Sequence, residues 1–166
     1  MAKSCYRTVI DQPADEVWAA VRDFNGLATW FRSAASASEI EGGKSGEAVG
    51  AVRGFLFGDT HIREHAVALS DAERSYAYEF CDPAPFPVLH CLSTLHVTPV
   101  TEGDQALVEW WSTFDCDTSE IDHWRGFFAG EVFNQPSRVS GSTSRRDEAP
   151  RSYSTPGGHR SWPAFP

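Results

Sequence analysis

A chain of 166 residues has room for one buried core and not for two. Its net charge of −9 is uneven: residues 1–133 carry nine Lys and Arg against 21 Asp and Glu, whereas residues 134–166 carry five Arg against two acids. An acidic body argues against nucleic acid as the main partner, because a phosphate backbone asks for a basic surface.

Residues 4–10 (SCYRTVI) read as a first strand. Pro13 then opens a helix, with Asp15 and Glu16 in the first turn, where the helix dipole favours acids. Val17, Trp18, Val21 and Phe24 recur at helical spacing, and Asn25-Gly26 ends the run. A second short helical piece, LATWF, follows. From 34 to 116 short segments alternate with turn signals at Gly42-Gly43, Gly58-Asp59, Ser70-Asp71, Asp82 to Pro87 and Gly103-Asp104. This spacing predicts an antiparallel sheet with strands near 34–41, 47–55, 60–69, 74–81, 88–99 and 106–115, seven with the first. Residues 119–133 return to a helical pattern, with Ile121, Trp124, Phe128 and Val132 on one face and Pro136 as the stop. The stretch 134–166, rich in Ser, Arg, Pro and Gly, has no apolar periodicity and is expected to be a disordered tail to a domain spanning 1–133.

Three charged residues stand inside strand segments: Arg53 in GAVRGF, Glu64 in THIREHAVAL and Glu109 in LVEWWSTFD. A charge facing a dry interior is costly unless paired, so such residues mark places where something polar is gripped or a proton moved. Strand parity sorts their faces in part. In 74–81, Tyr76, Tyr78 and Phe80 form an aromatic inner face. In 88–99, Leu89, Cys91, Ser93, Leu95 and Val97 are the better inner set. In 60–69, the run His61, Arg63 and His65 favours solvent, which turns Ile62, Glu64, Ala66 and Ala68 inward. In 106–115 parity does not decide between Leu107, Glu109, Trp111 and Thr113 and the opposite set of Val108, Trp110, Ser112 and Phe114.

Other constellations carry less. His61 and His65 share a strand face but stand about 13 Å apart, too far for one metal ion, and no metal or cofactor is expected. No Ser/His/Asp elbow or phosphate loop is present, and the only lysines, Lys3 and Lys44, are ill placed for Schiff-base chemistry. Cys5, Cys81, Cys91 and Cys116 form no CxxC pair and read as reduced thiols. With neither a signal-like N-terminal run nor a long apolar stretch, the expectation is a cytoplasmic protein without membrane association.

The order strand, two helices, six strands, helix carries a resemblance. Residues 8–31 (TVIDQPADEVWAAVRDFNGLATWF), the stretch GAVRGF…GDTHIREHAVALSDAERSYAYEF and the strand ALVEWWSTFD resemble bacterial polyketide cyclase/dehydrase-type proteins of the Bet v 1-like, START-related superfamily. The resemblance covers about residues 4–133. The family pattern G-x-V-R is present around Arg53, but the usual E-R-L reads Glu64-His65-Ala66. The last helix meets Pro136 one or two turns early.

The resemblance implies an α+β helix-grip fold, in which a curved seven-stranded antiparallel sheet closes around a C-terminal helix and a pocket for hydrophobic or amphipathic molecules lies between them. It also implies that Arg53 turns inward near Glu64 and, by analogy with its hormone-receptor branch, that Glu109 and Trp111 face the pocket. Trp110 and Phe114 would then lie outside and suggest packing against the tail or against a partner subunit, the latter as a homodimer. The implied site is a pocket of about 300–1,000 Å³ lined by Ile62, Tyr76, Tyr78, Phe80, Leu89, Cys91, Ser93, Trp111, Phe128 and Val132. Its ligand would be an aromatic or polyketide-like molecule of bacterial secondary metabolism. If the protein is an enzyme, the reaction is cyclisation or dehydration through an enolate. Glu64 or Glu109 would be the base, Arg53 would hold the oxyanion and Tyr78 would donate a proton. The alternatives are a non-catalytic carrier or sensor, and a protein whose pocket is compromised by its altered C-terminus.

Overall fold

The computed structural model describes residues 1–31, 35–43 and 45–132; the expectation of a disordered 134–166 tail falls outside them. Seven strands form one sheet: β1 (Ala2–Ile10), β2 (Ala35–Ile40), β3 (Val52–Phe57), β4 (Thr60–Ser70), β5 (Ser75–Phe80), β6 (Leu89–Val100) and β7 (Gln105–Asp115). Their order is β1-β7-β6-β5-β4-β3-β2, with every neighbouring pair antiparallel. Strands 2 to 7 thus form a meander, and β1 closes on β7, which brings the first and last strands of the chain together.

Between β1 and β2 lie α1 (Ala14–Val21), a 3₁₀ turn at Phe24–Gly26 and the single-turn α2 (Leu27–Trp30). The helix α1 starts at Pro13 and buries Ala14, Val17, Trp18 and Val21, the face predicted by the spacing. Its outer end is held by Asp71, which accepts from Trp18 Nε1 at 2.9 Å and from Arg22 Nε at 3.0 Å. The C-terminal segment is less regular than the expected helix. A 3₁₀ turn at Thr118–Glu120 leads into α3 (Ile121–Gly126), and Phe127–Val132 is wound as a π-helix. This wider winding turns Phe127 and Phe128 onto the aromatic wall around Phe86 and Phe114. Ser4 Oγ donates to the Arg125 carbonyl at 2.8 Å and ties α3 to β1.

One face of the sheet is buried against these helices, and β7 alternates without interruption: Ala106, Val108, Trp110, Ser112 and Phe114 are buried and the residues between them are not. The fold is therefore the helix-grip arrangement. The strand expected at 47–55 begins only at Val52. The preceding loop reaches the 3₁₀ turn, where Phe24 N donates to the Gly46 carbonyl at 3.2 Å. A side chain at Gly46 would stand 2.5 Å from Asp23 Oδ1 and 3.2 Å from the Asn25 backbone nitrogen, so this approach of two loops needs glycine. Among the described residues all four cysteines are free, and no helix is long and apolar enough to cross a membrane.

Candidate functional site

Arg53 and Glu64 lie directly opposite each other in the β3–β4 register, on the buried face of the sheet. They are 1% and 4% exposed. Arg53 Nε and Nη2 both donate to Glu64 Oε2, at 2.9 and 2.7 Å, and Nη1 donates to the Phe24 carbonyl at 2.7 Å. The guanidinium carbon lies 4.0 Å from the centre of the Phe24 ring and 4.9 Å from that of Tyr78, so aromatic faces add to its stabilisation. Burial pushes the Glu64 carboxyl above its ordinary range, and the Arg53 charge opposes that shift.

The pair lines a cavity under α2 and the C-terminal helix. The rest of the wall is Leu27, Phe31, Phe55, Phe57, Ile62, Tyr78, Phe80, Phe86, Trp110 and Phe128, nearly all apolar. The cavity offers about 30 Å³ to the centre of a water-sized sphere, which is room for one or two waters and well short of the pocket expected from the sequence. Tyr78 Oη accepts from Trp110 Nε1 at 2.8 Å, and burial raises its hydroxyl pKa well above the ordinary value. Tyr76 is buried behind this wall beside Phe24, and burial, opposed by the Arg53 charge, pushes its hydroxyl up to about 12.

The remaining predicted residues separate. Ile62, Tyr78, Phe80 and Phe128 border the cavity. Cys91 and Ser93 are buried on the same face of the sheet but do not border it. Ser93 and Ser112 hydrogen-bond to each other at 2.7 Å, and burial pushes the Cys91 thiol up to about 12. The expectation for the Val132 side chain lies outside what the structure describes.

Three placements are corrected. Glu109 and Trp111 are on the outer face of β7, because Trp110 and Phe114 fill the inner one. Glu109 Oε1 accepts from Arg7 Nε at 2.6 Å across the β1–β7 pair, and Trp111 lies under the Lys3 ammonium. The expectation of an exposed Trp110 and Phe114 seeking a partner subunit loses its basis with the same observation. Leu89 is 65% exposed because a bulge between Leu89 and Leu92 reverses the alternation there, with His90 at a φ of 50°. A similar irregularity between Ala66 and Ala68 turns Ala68 outward. It follows that Glu109→Gln should leave both thermal stability and ligand binding near wild type, since it alters only solvent-screened contacts with Arg7 and His96 on the outer face. A thermal melt and a ligand titration of the variant check this.

Reading by sequence missed Phe24, Phe31, Phe86 and Trp110. Phe86 sits in the proline-rich DPAPFP stretch, whose composition signals only a loop. The Phe24 contribution is a backbone carbonyl, to which no side-chain pattern points.

Solved structures repeat this architecture. The protein XoxI from Bacillus cereus is 31% identical, with 81% of this chain and 90% of that one covered and a TM-score of 0.70. A protein from Thermobifida fusca is 28% identical over 80% of this chain and 86% of that one, with a TM-score of 0.71. Norcoclaurine synthase from Thalictrum flavum, solved in complex with dopamine and hydroxybenzaldehyde, is 15% identical, with 78% of each chain covered and a TM-score of 0.63; it shares the fold. No curated protein matches. The match to the family of polyketide cyclase/dehydrase and lipid transport proteins runs over residues 1–137, through every element that borders the cavity, and the chain belongs to that family.

Proposed function

We propose that this protein binds a small, largely apolar molecule between its sheet and its C-terminal helix, with the molecule's polar end on the Arg53–Glu64 pair. The observation that carries this reading is the pair itself, which is almost wholly buried on an otherwise aromatic wall. Well-packed apolar residues in place of a buried ion pair are often neutral or stabilising. A pair retained at the edge of a cavity therefore points to use rather than to stability. The family description, polyketide cyclase/dehydrase and lipid transport, supports the same ligand class. So does the aromatic pair bound by the norcoclaurine synthase relative. Known small-molecule sites run to about 300–1,000 Å³, so binding requires the aromatic side chains of the wall to move apart.

A second reading, catalysis of cyclisation or dehydration, has one observation in its favour. Burial raises the Glu64 carboxyl toward the range useful for a general base, and Arg53 stands beside it to balance developing negative charge. Glu109 has no part in it. Tyr78 is a poor proton donor in this setting, because burial holds its hydroxyl well above the ordinary pKa.

Native mass spectrometry of protein isolated from its host tests the binding reading; a co-purifying apolar molecule is the expected result. Glu64→Gln then separates the two roles. An enzyme loses turnover and keeps affinity, whereas a carrier changes affinity and shows no turnover with either form. A wild-type protein that carries nothing and binds none of a panel of aromatic and lipid-like compounds would sink the proposal.

A further inference from the structure

The chemistry of the ligand's polar end follows from which atoms of the ion pair are already engaged, and this step rests on the binding site proposed above. Arg53 commits Nε and Nη2 to a single oxygen of Glu64, Oε2, and Nη1 to the Phe24 carbonyl. Aromatic rings stand beside the guanidinium, with centroids at 4.0 Å for Phe24 and 4.9 Å for Tyr78. Three of its five N–H groups are thus engaged within the protein, and its charge is already balanced by Glu64. The other carboxylate oxygen, Oε1, accepts no hydrogen bond from any described residue, although Glu64 is 4% exposed and borders the cavity. A carboxylate oxygen on a cavity wall with no protein donor is an acceptor of full strength left for whatever occupies the cavity, water or ligand.

We propose that the site selects a ligand whose polar end is a hydrogen-bond donor, a phenol or alcohol hydroxyl or an amine N–H, carried on a flat apolar body, and that it rejects carboxylates. The aromatic wall of Phe31, Phe55, Phe80, Phe86 and Trp110 suits the apolar body. A carboxylate placed there would add a second negative charge beside Oε1, and because Arg53 and Glu64 already neutralise each other, that charge would be left uncompensated on an apolar wall.

Three probes of one shape test this on the full chain: 2-naphthol, 2-methoxynaphthalene and 2-naphthoate. Dissociation constants would come from calorimetry, and backbone amide shifts at Glu64, Tyr78 and Trp110 would place each probe. The expected order is naphthol tightest, at least about tenfold tighter than its methyl ether, with naphthoate weakest. An ether that binds as well as naphthol, or naphthoate binding tightest, overturns the donor preference while leaving the binding reading in place. No shift at those amides with any probe overturns the binding reading and the preference with it. Glu64→Gln adds a second arm. Its amide can keep its oxygen on Arg53 and turn its NH₂ into the cavity, so the preference for naphthol should collapse and naphthoate should gain. A folded Glu64→Gln protein that still prefers naphthol tenfold would overturn the proposal; if that variant does not fold, the wild-type order decides alone.

Discussion

Arg53→Leu is expected to destabilise the protein by about 3–5 kcal/mol, the usual consequence of stripping one partner from a buried ion pair. Arg53 is 1% exposed, and its loss leaves Glu64 in the same dry wall with neither hydrogen bond to Oε2. The Phe24 carbonyl loses its donor as well. The double variant Arg53→Leu/Glu64→Leu should recover most of the loss, because it removes the uncompensated charge along with its partner. The defect should also depend on pH, and the sign follows from Glu64. Burial raises its folded-state pKa above the unfolded carboxylate value of about 4.3. Any stability it contributes is therefore fully present below that unfolded value and is lost as pH rises through the folded one. Without Arg53 to oppose the shift, the folded pKa climbs further and the loss deepens. Urea unfolding at pH 5 and pH 8 measures this: Arg53→Leu should be closer to wild type at pH 5. A single variant that unfolds near the wild-type midpoint, or a double variant as weak as the single, would show that the pair is not the charge balance of this wall.

Phe24→Ala is expected to cost a similar amount, about 3–5 kcal/mol, from the cavity it leaves. Phe24 is fully buried, and its ring meets Tyr76 at 5.9 Å and Tyr78 at 5.8 Å and covers the Arg53 guanidinium. The same residue therefore links the α1–α2 connection to the charged pair. Phe24→Leu keeps most of the volume and removes the aromatic face. Its cost should be less than half that of the alanine variant in the same denaturation experiment, and it should keep the Arg53 bond to the backbone carbonyl. Equal costs for the two variants would assign the effect to the ring's interaction with Arg53 rather than to packing.

The parts of the site that could be read from sequence were those governed by local pattern. Tyr76, Tyr78, Ile62 and Glu64 face inward as alternation indicates, because β4 and β5 are regular across those positions. The nearness of Arg53 to Glu64 came from the G-x-V-R resemblance together with the short turn joining two antiparallel strands. Leu89 and Ala68 were misplaced because an irregularity of one residue separates each from the regular part of its strand; composition does not announce it, and it reverses the alternation across it. Glu109 and Trp111 were misplaced for another reason. Both faces of LVEWWSTFD carry a tryptophan and a polar residue, so burial energy along the strand alone is nearly balanced.

The sequence by itself determined the order of elements, the antiparallel sheet, the helix-grip class and the two charges that meet on β3 and β4. The order of elements and the antiparallel sheet follow from periodicity and turn residues, which are properties of neighbours along the chain; the helix-grip class and the meeting of the two charges are what the family resemblance of those segments implies. Only the tertiary structure decided which face of β7 is inside, where Trp110 packs against Trp30 and Phe31 and donates to Tyr78. It alone placed the Phe24 carbonyl on Arg53, reduced the cavity to about 30 Å³ and left Glu64, on its wall, with Oε1 unused by any described donor. These depend on contacts between residues tens of positions apart, and the balance of packing and polar satisfaction that settles them exists only once the sheet has closed over its helices.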